Sequence, residues 1–299
     1  MENFALILFA IFIGYVLQKL QIFPKETPTI LNQFIIYISL PAIILLQVPK
    51  LVFSFDILIP TLIAWLVMGI SALCVLIMAK ILSWSREVTG SLMLVAILTN
   101  SSIMGVPIIN AYLGANALPY VLIYDQLGTF IALATYGTFI AAYYSNTTVL
   151  NAKMITQKIF TFPPFLSLII ALFFLDVQFN PILTKVLESF ASTLIPVALV
   201  AVGLQLQLKI PRHEIKPLSI ALIIKLIIAP LIAVLISFII GMDNLATKVS
   251  ILEAGMAPMI TAGVIASMAG LAPRLSSAIV GYGIIISFLT TGVLFKLIS

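Results

Sequence analysis

Charge is what this chain most lacks. Asp, Glu, Lys and Arg make up 8% of its 299 residues, and hydrophobic residues make up 62%. A soluble domain carries about 25% charge, so the composition is that of an integral membrane protein whose main partner is the lipid bilayer. The one cysteine, Cys74, excludes an intrachain disulfide. Its apolar surroundings make it a small packing residue. The one histidine, His213, falls in a basic loop and reads as loop-exposed. There is no Walker-type glycine loop, no H-E-x-x-H, no C-x-x-C and no D-D-x-x-D. Those absences exclude ATP-driven pumping and speak against an intramembrane metal- or carboxylate-dependent enzyme. The net charge is +5, but the basic residues are scattered through short loops, which is no footprint for nucleic acid.

What is present is a series of apolar runs. A bilayer crossing needs about 20 mostly apolar residues. About ten runs qualify, at roughly 3–20, 28–48, 57–79, 88–113, 119–143, 162–179, 182–207, 218–240, 247–269 and 275–297. The expected fold class is therefore all-α, with two halves of five spans, residues 1–150 and 151–299, joined across the longest gap. The first run follows Met1-Glu2 without a basic leader and reads as a true span rather than a cleaved signal. Loops after odd-numbered spans hold Lys19, Lys25, Lys80, Arg86, Lys153, Lys158, Lys209, Arg212, Lys216 and Arg274. The opposite loops hold only Lys50, Lys185, Lys248 and Lys296. The excess of Lys and Arg marks the cytoplasmic side, which puts both termini outside. Five spans per half then place the halves in opposite orientations.

Two prolines interrupt these runs. Pro107 closes the segment Asn100-Ser101-Ser102-Ile103-Met104-Gly105-Val106-Pro107, and Pro258 closes Glu253-Ala254-Gly255-Met256-Ala257-Pro258. Proline lacks a backbone donor and clashes with the preceding turn. Lipid cannot satisfy the carbonyls so freed, so broken helices persist only inside protein or beside a cavity. One break in each half points to a transporter's binding site. The halves also echo each other. Leu31-Asn32-Gln33-Phe34 followed by Pro41 matches Leu187-Glu188-Ser189-Phe190 followed by Pro196, and Pro119 and Pro273 follow the two breaks.

The pattern N-x-x-[IV]-M-G-[IV]-P over Asn100–Pro107 resembles the fourth-span signature of the auxin efflux carrier family. The segment Pro196–Leu204 resembles its seventh-span P-x-A-x-x-x-x-G-L, and the ending from Glu253 is similar to that family's. The resemblance covers essentially the whole chain. It implies two inverted five-helix repeats, similar to bile-acid/sodium symporters and sodium/proton antiporters. Spans 1, 2, 6 and 7 would form a scaffold. Spans 3–5 and 8–10 would form a mobile transport domain in which spans 4 and 9 cross. Family members carry organic anions: auxin in plants, malate, malonate and related carboxylates in bacteria. The absence of a long hydrophilic central loop points to a compact microbial-type member in the plasma (bacterial inner) membrane. Related folds also suggest a homodimer.

Helix N-termini attract anions through free amides and the positive dipole end. The expected anion site therefore comprises Asn100, Ser101, Ser102, Gly105, Pro107 and Ile108 at the first break, with Gly255, Pro258 and Met259 at the second. For the asparagine and serines, ligand contact and satisfaction of orphan carbonyls are both open readings. No metal or cofactor is implied beyond a coupling ion, proton or sodium. Glu253 is a candidate proton carrier or a structural glutamate. Asp125 and Gln126 could coordinate sodium, since hard cations prefer oxygen ligands, or Asp125 could pair or cap within the protein. Lys225 could neutralise half-helix carbonyls, pair with substrate or snorkel to the interface. Tyr37, Ser39, Pro41 and Pro196 are expected to line the cavity or kink the spans beside it. The favoured function is a gradient-driven or facilitative carrier of small organic anions. The alternatives are a sodium/proton antiporter-like exchanger and a non-transporting membrane sensor.

Overall fold

Apolar runs this long must close their backbone hydrogen bonds internally, because lipid supplies no partners. The computed structural model describes residues 2–24, 26–50, 58–145, 160–175, 177, 179–205, 214–241 and 243–298. Lys25, Lys153, Lys158, Lys209, Arg212 and His213 lie outside the described residues. Among the described residues, regular structure is helical apart from one isolated bridge. The helices are α1 (Glu2–Lys19), α2 (Thr27–Gln47), α3 (Ile59–Ile81), α4 (Arg86–Val95), α5 (Ser101–Leu113) and α6 (Ala115–Ser145). They continue as α7 (Pro163–Phe173), α8 (Pro181–Ala191), α9 (Leu194–Gln205), α10 (Ile215–Ile240), α11 (Leu245–Ala254), α12 (Ile260–Met268) and α13 (Pro273–Ile298). Among the described residues, six stretches are long and apolar enough to cross a membrane: α2, α3, α6, the α8–α9 pair, α10 and α13. The sixth run is shorter than its composition suggests. The helix α7 has 11 residues, or about 16 Å, and falls short of the hydrocarbon thickness.

Three internal prolines are accommodated in one way. A wide π turn, Ile35–Ser39, Ser101–Gly105 or Ile224–Ile228, ends two residues before Pro41, Pro107 or Pro230. The i→i−5 bonds of such a turn, for example Gly105 N–H to the Asn100 carbonyl at 3.0 Å, absorb the register change that a missing donor forces. At Pro196 the solution differs. The helix is interrupted at Ser192–Thr193, between α8 and α9. The two irregular points, before Pro41 and before Pro196, touch: Ser39 and Thr193 hydroxyls are hydrogen-bonded at 2.7 Å.

The helices sort into two packing groups. In one, α1 packs along α9, and α2 packs on α7, α8 and α9. Gly14 and Gly203 set the α1–α9 approach, because a Cβ on either would run into the backbone of the other helix. In the second group α3, α4, α6, α10, α11, α12 and α13 pack on one another. The helix α5 lies between the groups and touches α1 and α9 as well as α6.

Candidate functional site

Two helical runs stop and restart in mid-course. The first stops at Val95 and restarts at Ser101; the second stops at Ala254 and restarts at Ile260. The interruptions lie against each other. Asn100 N–H donates to the Ala257 carbonyl at 2.9 Å, and Met259 N–H donates to the Leu98 carbonyl at 2.9 Å. Thr99 and Pro258 form the antiparallel bridge between them. Each break thus satisfies part of the other's orphaned backbone, which an isolated break in lipid could not do. The first-turn amides of α5 and α12 have no intrahelical acceptor. They carry the positive ends of their helices to this point.

A buried pocket of about 100 Å³ opens beside the bridge. Asn100, Ser101, Ser102, Asp125, Met259, Ile260 and Thr261 supply its polar and backbone side. Ile35, Ile36 and Leu40 of α2, with Phe130, Leu133 and Phe162, supply an apolar wall. The Asn100 side-chain nitrogen is buried and has no hydrogen-bond partner, so a donor stands available at the pocket. Asp125 is already engaged. Its Oδ1 accepts from Ser101 Oγ at 2.5 Å and Ser102 Oγ at 2.6 Å, and its Oδ2 accepts from the Gln126 amide. Gln126 Oε1 and Thr129 Oγ1 are buried without partners.

A second buried cluster lies behind the bridge. Lys225, on the π turn of α10, is 1% exposed. Its ammonium donates to Thr99 Oγ1 and to the Ala254 carbonyl, each at 2.8 Å. It therefore ties the carbonyl end of α11 to the other break. Glu253 is fully buried, and neither carboxyl oxygen has a hydrogen-bond partner. It lies within electrostatic reach of both Asp125 and Lys225. Its carboxyl group rests against Gly105, where any Cβ would collide with it. Among the described residues, no three His, Cys, Asp or Glu side chains gather as a metal centre would require.

Several expectations need correction. The first break precedes Asn100 instead of following the serines, and Pro107 sits inside the restarted helix; the π turn lets the helix run through it. Gly105, Pro107 and Ile108 are buried but do not line the pocket. Gly105 makes room for Glu253. Gly255 packs against Leu294 and Pro230, and Pro258 packs against Gly283. Tyr37 is 64% exposed on the outer face of α2 and does not line the pocket, because the helical phase turns it away. Ser39 is committed to Thr193. Pro196 is exposed and Pro41 half-buried, and neither lines the pocket. Lys225 does not snorkel; it is anchored internally. Thr99 and Ile260 were not anticipated, and α2 borders the pocket as expected but through Ile35, Ile36 and Leu40. Thr99 had a usable signal, as a further polar residue directly before Asn100 in an apolar run.

Membrane-crossing helices, with paired interruptions beside a small pocket of mixed polarity, are features of a polytopic membrane transporter. The chain belongs to the membrane transport protein family, whose profile matches residues 1–295. This is the auxin efflux carrier family of the resemblance above. It is similar to an uncharacterized transporter of Methanocaldococcus jannaschii, 26% identical over 265 residues covering 86% of this chain and 85% of that protein. It is also similar to an uncharacterized transporter of Methanothermobacter thermautotrophicus, 23% identical over 273 residues covering 89% and 87%.

Proposed function

We propose that this chain is a secondary carrier of small organic anions, carboxylates foremost, working by alternating access at the crossing of two broken helices. The observation that carries this reading is the pocket itself. The first turns of two helices and the unpartnered Asn100 nitrogen line it, and first-turn amides lack intrahelical acceptors. Among the described residues that line it, the only carboxylate, Asp125, has its oxygens occupied. A carboxylate substrate meets donors there without requiring an arginine. The pocket lies between the two packing groups, where rocking of one against the other would expose it alternately. We read α1, α2 and α7–α9 as scaffold and the remainder as transport domain. The irregular points before Pro41 and Pro196 pair through Ser39 and Thr193, which is in keeping with two inverted five-span repeats. Orientation follows the loop lysines and arginines, with both termini outside.

Transport inward against a negative interior needs an accompanying cation. The favoured coupling ion is the proton, taken up at Glu253. A buried, unpartnered carboxyl is tolerated far better neutral than charged, and its uptake of a proton would be sensed by Lys225 and the break. Sodium at Asp125 is the weaker reading, because Ser101, Ser102 and Gln126 already hold that carboxylate.

The test is reconstitution into liposomes with radiolabelled mono- and dicarboxylates, with imposed pH or sodium gradients. Carboxylate counterflow, lost in Asn100→Ala while the variant still inserts, is the expected result. Cation exchange without carboxylate counterflow would replace this reading with the antiporter one.

A further inference from the structure

A second, larger cavity shares a lining residue with the pocket and has no role so far. It measures about 760 Å³ and is bounded by Gln18, Gln21 and Pro24 near the end of α1, by the start of α2, and by α12 and α13. Along α12 it is lined by Ile260, Gly263, Val264, Ser267 and Met268, one face of the helix from its first residue to its last. The spacing of three and four is that of a single helical stripe. The vestibule therefore runs up α12 and ends at its N-terminus. The crossing pocket begins at the same point, and Ile260 is the residue that lines both cavities. Ile260 itself is 6% exposed.

We propose that Ile260 is the inner gate of the carrier, and that its bulk sets which anions pass between vestibule and pocket. The proposal rests on the transport reading for its direction but not for its geometry. An anion drawn along the α12 stripe approaches the positive end of that helix, with the unpartnered Asn100 nitrogen beyond it. The Ile260 side chain stands between the two. Isoleucine is β-branched and stiff at χ1, so it moves with the helix more readily than by swinging aside. Passage then requires α12 to shift relative to the face formed by α1 and α2. That ties the opening of the gate to the relative movement of the two packing groups. On this side the boundary loops carry Lys19 and Arg274, which makes the vestibule mouth cytoplasmic under the positive-inside rule.

The test uses a reporter cysteine at the pocket, Ser102→Cys, in a Cys74→Ser background. Its modification by the impermeant, anionic reagent sulfonatoethyl methanethiosulfonate is measured in oriented vesicles. With Ile260 in place, modification from the cytoplasmic face is expected to be slow. Ile260→Ala is expected to speed it at least about tenfold, equivalent to about 1.4 kcal/mol off the opening barrier, and Ile260→Trp to suppress it. If Ile260→Ala fails to accumulate, Ile260→Val is expected to give an intermediate rate. In counterflow with Ser102 intact, Ile260→Ala should admit phenylacetate relative to malonate more readily than the parent does. Equal modification rates across the series, or faster modification from the outer face, would overturn the gate. Accessibility following side-chain size, with no carboxylate counterflow in the parent, would leave the gate standing and sink the transport reading instead.

Discussion

Gly105 offers the sharpest internal test of how the two breaks are built. A Cβ at this position would lie 2.8 Å from both Cδ and Oε2 of Glu253 and would collide with Oε1. The backbone there cannot easily retreat, because Gly105 N–H is bonded to the Asn100 carbonyl at 3.0 Å. The carboxyl group must move instead. It is the far end of a flexible side chain, which lowers the cost, but Glu253 is fully buried, which limits where it can go. Overpacking of this kind costs about 1–3 kcal/mol, and the lower half of that range applies here. Gly105→Ala should therefore lower stability by about 1–2 kcal/mol, read as a fall in the unfolding midpoint in detergent. Glu253→Ala removes the obstructing group, so adding it should recover most of that loss. The double-mutant cycle should return a favourable coupling of about 1 kcal/mol or more. Effects that simply add, within about 0.3–0.5 kcal/mol, would refute the contact and with it the role assigned to the motif glycine.

Three further outcomes follow from the same geometry. Glu253→Gln should flatten the pH dependence of carboxylate uptake, measured in proteoliposomes across imposed pH gradients; a profile like that of the parent would remove Glu253 from coupling. Lys225→Met leaves the Ala254 carbonyl and Thr99 hydroxyl without their buried donor. It should destabilise the protein by about 1–3 kcal/mol, and a thermal midpoint equal to the parent's would contradict that anchoring. Gly203→Ala forces the backbones of α1 and α9 apart. It should cost about 1–3 kcal/mol or prevent accumulation, while a variant as stable as the parent would show that this approach is slack.

The class of protein was legible because composition acts without geometry: a chain this poor in charge has to live in lipid. The family was legible in Asn100–Pro107 and Pro196–Leu204, and the profile match over residues 1–295 bears it out. The prolines announced irregular helices but misplaced one of them. Proline reports a missing donor, whereas the position of the actual break depends on which carbonyls find partners elsewhere. In the first run the π turn absorbs Pro107, and Asn100 is held by Ala257 from across the fold. Tyr37 was misread for a related reason. Position along a span says how deep a residue lies, and only helical phase against neighbours says which way it faces.

Sequence alone determined that the backbone must be helical, which runs carry an interruption, and which few polar residues lie at membrane depth, since each follows from transfer energetics along the chain. Tertiary structure alone decided what those residues do: that Asp125 is tied to two serines, that Lys225 caps a carbonyl 29 residues away, that Glu253 faces a glycine, and that Ile260 lines two cavities. These depend on contacts between segments far apart in sequence, and a buried polar group takes its role from the partner it meets, which no local pattern specifies.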